Sequence, residues 1–342
     1  MSGRAEREGC LGPLASRVLW ALVLVCGCGL VACGDDGPAP GGAGGTGAGG
    51  AGGAVGAGGA GGEVPVVDPA LFDCTRVKDP ERNNPVPVTC AMDVTCTTQL
   101  VSGHRGAPTL APEDTVASVR AAIALGVDFV ETDPRPTKDG YLVNLHDTSV
   151  DRTTSGTGEA IDLTLAEIQA LTLENYSMPG DFSCEHVPTL EEILTAARGK
   201  VHVLIDANKT DRVDLLVGAI LATDTVDWAV FDTSSVDKID QALAIEPNLH
   251  TMIRVDTVEE LDAELTHFAA HPPIIVEITG TATSMIDEVH LRNNRAMRDL
   301  FVIDVVADLN DDASAYGQVF ELGLDIGQTD RPDLVLEYLG RR

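Results

Sequence analysis

From residue 99 to the end, short apolar, β-rich runs alternate with amphipathic stretches of helical length. That alternation restricts the chain to a parallel α/β sheet. The strand candidates are 100–104, 129–133, 142–146, 201–206, 228–231, 251–255, 274–278, 301–306 and 324–328, and helical stretches fall at 113–125, 212–222, 236–244, 258–269 and 313–322. Nine candidates are one more than an eight-stranded barrel uses, so one is a short extra strand or a misassignment. The second and third are joined by 134–140, too short for a helix. About 280 residues follow the Gly-rich stretch, a length that fits one TIM-type (β/α)8 barrel. A segment at about 148–190 interrupts the alternation after the third strand candidate. Loops at the catalytic end of a barrel select substrates, so this insertion is expected to form a cap.

The first 98 residues read differently. Arg4, Arg7 and Arg17 precede a short apolar stretch, 18–25, which is too short for a secure membrane span and has the anatomy of an export signal. It closes on Leu30-Val31-Ala32-Cys33, which is similar to a bacterial lipobox. Residues 1–32 are thus expected to be a lipoprotein signal peptide with Cys33 lipidated; the bland alternative is an ordinary signal peptide cut nearby. Residues 33–63 carry the Gly/Ala-rich tether, which cannot bury apolar surface. An exported chain, lipid-anchored to the bacterial cell envelope on its periplasmic or surface side, follows, with the membrane met through the anchor only. Residues 64–98 form an irregular extension rich in Pro, Asn and Cys, and 99–342 the barrel.

A formal net charge of −30 argues against nucleic acid or an anionic membrane face as the main partner. Four cysteines remain past the tether: Cys74, Cys90, Cys96 and Cys184. In an exported chain they suggest two disulfides, and three pairings are open. Zinc is disfavoured, because no Cys-x-x-Cys pair is present.

The chemistry gathers at the ends of the strand candidates. His104 closes the first, Glu131 and Asp133 the second, and His146 the third. Side chains alternate along a strand, so Glu131 and Asp133 share a face. Two carboxylates suit a hard cation, Ca2+ or Mg2+, with water and substrate phosphate completing its shell. Imidazole titrates near neutrality, so His104 and His146 suit acid–base work. Arg105 has the forked donors of a phosphate clamp, or else forms a buried salt bridge to Glu113.

The order and wording of these motifs resemble the glycerophosphodiester phosphodiesterase family. The matching pieces are His104-Arg-Gly106, Pro112-Glu-Asp-Thr115, Glu131-Thr-Asp133, Thr137-Lys-Asp-Gly140, His146-Asp147, Val187-Pro-Thr-Leu-Glu-Glu192 and Thr329-Asp-Arg-Pro332. The resemblance spans Gln99 to the end. It implies a TIM-type barrel and metal-dependent hydrolysis of a small-molecule glycerophosphodiester to glycerol 3-phosphate and an alcohol. It also implies a third metal ligand, Asp206, where the family carries Glu in a Glu-x-Lys motif. Asn208 stands at the family's lysine and Lys209 follows one residue later. Either the strand breaks and Lys209 swings in to bind phosphate, or Asn208 serves as a neutral partner. Asp114 stands where the family has Asn, and 302–308 takes the place of a family strand bearing Trp. Thr329-Asp-x-Pro is expected to close the barrel, with Pro332 starting the last helix. Two other readings remain: a phospholipase D-like or lysophospholipase D-like enzyme acting on lipid headgroups, and a lipoprotein that binds a phosphodiester without turnover.

Overall fold

The computed structural model describes residues 67–342. The signal peptide, Cys33 and the Gly/Ala-rich tether lie outside the described residues. Among those described, no helix is long and apolar enough to cross a membrane.

Among the described residues ten strands form: β1 (Leu100–Gly103), β2 (Phe129–Thr132), β3 (Pro134–Pro136), β4 (Leu142–Asn144), β5 (His202–Asp206), β6 (Ala229–Thr233), β7 (His250–Val255), β8 (Ile275–Ile278), β9 (Arg295–Asp299) and β10 (Ile326–Thr329). Eight of them close a parallel barrel in the order β1-β10-β9-β8-β7-β6-β5-β2. This is the TIM-type (β/α)8 barrel, with helices outside the strands.

Two strand assignments change. The third candidate, now β4, is not part of the barrel; it pairs antiparallel with β3 in a two-stranded hairpin. The connection 134–140 is too short to carry a crossover, which a parallel neighbour requires. The insertion therefore falls between the second and third barrel strands, β2 and β5, and not after the third. The candidate at 301–306 is a helix, Phe301–Asn310, and the barrel strand is β9 just before it. Val302, Ile303, Val305 and Val306 have high β-propensity, but such preference yields to tertiary context. Here Ile303 and Ala307 face the core one turn apart, while Val302 and Val306 stay exposed.

Helix ends follow local chemistry. The helix Val116–Leu125 starts where the Thr115 hydroxyl accepts the Ser118 N–H, and stops at Gly126, whose left-handed φ of 94° suits a residue without Cβ. Capping boxes at Thr189/Glu192 and Thr257/Glu260 open two more helices.

The barrel interior is layered. Leu100, Phe129, Leu204, Val230, Met252, Ile275, Met297 and Ile326, one from each barrel strand, join an apolar cluster with Val86, Cys90 and Ala91. The 67–98 extension thus plugs the barrel base. Arg295, 1% exposed at that base, donates to the carbonyls of Cys90 (2.7 Å) and Thr98 (2.8 Å). The disulfides are Cys90–Cys96 within the plug and Cys74–Cys184 between the extension and the insertion.

Candidate active site

Two residues further along each strand, the inward side chain belongs to the next layer up. Applied to the apolar layer, this gives Ser102, Glu131, Asp206, Asp232, Arg254, Glu277, Asp299 and Gln328. Every one is polar, and all but Ser102 and Gln328 are charged. Hydrophobic closure below and charge above place the reactive end at the C-terminal ends of the strands, as in other barrels of this type.

Glu131, Asp133 and Asp206 are buried and converge, with one oxygen from each lying within 4.8 Å of the others. Burial, together with Asp133, Asp114 and Asp206, pushes the Glu131 carboxyl well above its ordinary range. Burial would also raise Asp133, but Lys209 and Arg105 beside it outweigh burial and hold it low. The Asp133 Oδ2 atom is buried without a hydrogen-bond partner. Converging buried carboxylates with an unfilled acceptor fit a hard cation that takes oxygen ligands.

The cations around this cluster are placed by local breaks in regular structure. β5 ends at Asp206 and a 3-10 turn, Ala207–Lys209, follows. The turn swings the Lys209 amino group to Asp133 Oδ1 (3.0 Å) and Asp206 Oδ2 (3.8 Å). Asn208 acts as well: its amide donates to Asp206 Oδ1 (2.8 Å) while its oxygen accepts from Thr233 and Ser234. Both alternatives left open by the sequence therefore occur together. Arg105 takes a left-handed φ of 54° just after β1. This aims its N–H at Glu131 Oε2 (3.1 Å) and its guanidinium at Glu113 (2.9 Å), with Asp133 at 3.5 Å. A Cβ on Gly103 would lie 2.0 Å from the Gly106 carbonyl oxygen, so this turn requires glycine there. Asp114 is buried under the turn, its N–H donating to the Arg105 carbonyl (3.2 Å), and burial with Asp133 nearby raises its carboxyl strongly.

The histidines approach the carboxylates from two sides. His104 Nε2 lies 3.9 Å from Glu131 Oε2, its Nδ1 lies 2.7 Å from Asp330, and its ring packs on Phe301 with centroids 4.5 Å apart. His146 follows the β3–β4 hairpin rather than a barrel strand. It is held there because the Leu145 N–H donates to the Asp133 carbonyl (3.0 Å) and Arg135 donates to the carbonyls of Leu145 and His146. Burial and the nearby Arg105 lower the His146 pKa, although Asp147 at 3.0 Å opposes the shift. Arg152, from the insertion, bridges Asp147 (2.5 Å) and Glu113 (2.6 Å).

All seven barrel residues singled out from sequence thus meet at one site: His104, Arg105, Glu131, Asp133, His146, Asp206 and Lys209. Sequence reasoning missed three partners. Arg254 pairs with Asp232 and lies 2.9 Å from Glu277 and 3.5 Å from Asp206. It was within reach of the alternation rule, two residues after Met252. Asp330 was read only as part of a closing motif. Arg152 carried no signal beyond its place in the insertion.

Comparisons with known proteins agree with this geometry. Residues 104–257 match the model of the glycerophosphoryl diester phosphodiesterase family. A glycerophosphodiester phosphodiesterase of Caldanaerobacter subterraneus is 45% identical over 94 residues, which is 28% of this chain and 38% of that protein. Human glycerophosphodiester phosphodiesterase 1 is 42% identical over 111 residues, 32% of this chain and 34% of that protein. The chain thus spans less than half the length of these curated relatives. The crystal structure of a glycerophosphoryl diester phosphodiesterase from Parabacteroides distasonis superposes with a TM-score of 0.66 at 25% identity, covering 74% of this chain and 90% of that one.

Proposed function

We propose that the chain, whose residues 104–257 match the glycerophosphoryl diester phosphodiesterase family model, hydrolyses glycerophosphodiesters to glycerol 3-phosphate and an alcohol with the help of Ca2+ or Mg2+. The observation that carries this reading is the convergence of Glu131, Asp133 and Asp206 with His104 on one side and His146 near Asp133 on the other. The three carboxylates would hold the cation, and a cation bound there supplies Lewis-acid polarisation of a phosphate oxygen.

The chain's own residues do the rest. Arg105 and Lys209 bring two positive groups to the carboxylate cluster, where they bind and orient the phosphate. One histidine takes the proton of the attacking hydroxyl and the other returns a proton to the leaving alkoxide. The insertion, linked to the site by the pairs of Arg152 with Asp147 and Glu113, selects the alcohol. Cys33 is lipidated and the tether holds the barrel near the envelope membrane; incorporation of labelled fatty acid that is lost in Cys33→Ala tests this part.

The test of the reaction is release of glycerol 3-phosphate from glycerophosphocholine by the purified protein with Ca2+ or Mg2+, then with EDTA. Metal-dependent release that disappears in His104→Ala and His146→Ala is expected. A folded protein that leaves glycerophosphocholine intact but cleaves a lysophospholipid would replace the substrate with lipid headgroups. Tight binding without product would make the chain a binding lipoprotein.

A further inference from the structure

Behind β10 lies a polar group that the reaction above does not use. Asp304, 4% exposed, sits on the helix Phe301–Asn310, and Tyr316 is fully buried in the 3-10 turn that follows. The Tyr316 hydroxyl donates to Asp304 Oδ1 (2.7 Å), and so does the Thr329 hydroxyl (2.6 Å). Asp304 Oδ2 accepts the N–H of Asp330 (2.9 Å). On the other side of that turn, the Thr329 carbonyl accepts the His104 N–H (3.0 Å) and Asp330 Oδ1 lies 2.7 Å from His104 Nδ1.

Packing alone does not require this arrangement. Burying a carboxylate costs free energy that apolar residues of similar size avoid, and neighbouring Leu300, Val319, Phe320 and Leu336 fill the same layer without polar atoms. Three hydrogen bonds offset the cost, and their common product is a fixed Thr329–Asp330 turn. An ionised carboxylate only accepts, so Asp330 places the proton of neutral His104 on Nδ1 and leaves the Nε2 lone pair toward Glu131. Phe301 closes the other side of the ring.

We propose that Asp304 and Tyr316 are positioning residues which, through Asp330, hold His104 in its Nδ1-protonated tautomer and in its orientation toward the carboxylate cluster. The proposal rests on the acid–base role of His104 in the reading above.

Two measurements on the full chain separate the proposal from that reading. Nitrogen-15 spectra of labelled histidines assign the His104 tautomer whether or not the chain turns over glycerophosphocholine. An Nδ1-protonated ring is expected, with Asp304→Asn and Tyr316→Phe mixing the tautomers; an Nε2-protonated ring in the unmodified protein overturns the proposal. In turnover, Tyr316→Phe removes one buried hydrogen bond and should lower kcat about tenfold with KM within twofold. The same substitution made in Asp330→Ala should lower kcat less than twofold further, since the side-chain link from residue 330 to His104 is already broken. Equal losses in both backgrounds would show a merely structural role and overturn it. Tyr316→Phe keeps the shape of the core, so the test stands even if Asp304→Asn does not fold.

Discussion

Replacing Cys74 and Cys184 together by Ala should destabilise the chain about twice as much as replacing Cys90 and Cys96. The two bridges differ in the loop each closes: 110 residues of separation for the first, 6 for the second. In the chain-entropy account, closing those loops removes from the unfolded state ~4.8 kcal/mol and ~2.2 kcal/mol respectively. Apart from the Cys184 N–H bond to Cys74 Sγ (2.9 Å), the non-covalent contacts around Cys74–Cys184 survive the substitution. The Cys74 N–H still donates to the Asp181 carbonyl (2.8 Å), Asp73 still accepts from the Asp181 N–H (3.1 Å), and Phe72 still stacks on Phe182. The loss is therefore mainly unfolded-state entropy, seen as a lower urea midpoint with an altered slope. Ala is the right replacement because Cys90 is buried and a serine hydroxyl there would need a new partner. The assay is urea unfolding of both pair variants followed by fluorescence and circular dichroism. A Cys90/Cys96 pair variant that costs as much as the other would refute the reasoning, since local strain or packing would then dominate loop length. Since Cys184 lies in the insertion, the Cys74/Cys184 variant should keep kcat below its melting temperature, because no proposed acid, base or ligand is touched.

Three further outcomes are expected. Asp206→Asn removes one of three anionic oxygens, and cation affinity measured calorimetrically should fall by on the order of tenfold or more; unchanged affinity would exclude Asp206 from the site. Arg254→Met leaves Asp232 and Glu277 buried without their shared cation and should cost about 3–5 kcal/mol in urea unfolding. Burial, with His250 and Arg82 nearby, pushes the His202 pKa down from 6.5 to about 4. The folded state thus refuses a proton that the unfolded state accepts: stability is intact above pH 6.5, and about 3 kcal/mol is lost as pH falls to 4. His202→Leu should flatten that acid limb, and an unchanged limb would show that His202 does not set it.

The site was legible from sequence where it follows strand periodicity and illegible where it depends on contacts across the chain. Glu131 and Asp206 are inward residues of β2 and β5, each two places beyond an apolar residue of the layer below, so alternation alone brings them to one face. Lys209 breaks the parity rule because a 3-10 turn replaces strand after Asp206, and only the carboxylates of Asp133 and Asp206 give the lysine reason to turn inward. The strand 295–299 was missed for the opposite reason. Its sequence, Arg-Ala-Met-Arg-Asp, is polar because two of its three inward residues answer partners far away: Arg295 the carbonyls of Cys90 and Thr98, Asp299 the amide of Gln328. The β-branched run after it suggested a strand, yet it forms a helix whose Asp304 supports the turn beside His104. The same cause explains both errors. A barrel strand that is plugged at one end and catalytic at the other carries charge at both ends, leaving only Met297 in the middle to mark its interior. Hydrophobic periodicity therefore weakens where the chemistry is densest, and Asp330, which meets His104 and Asp304, becomes readable only once those elements are brought together.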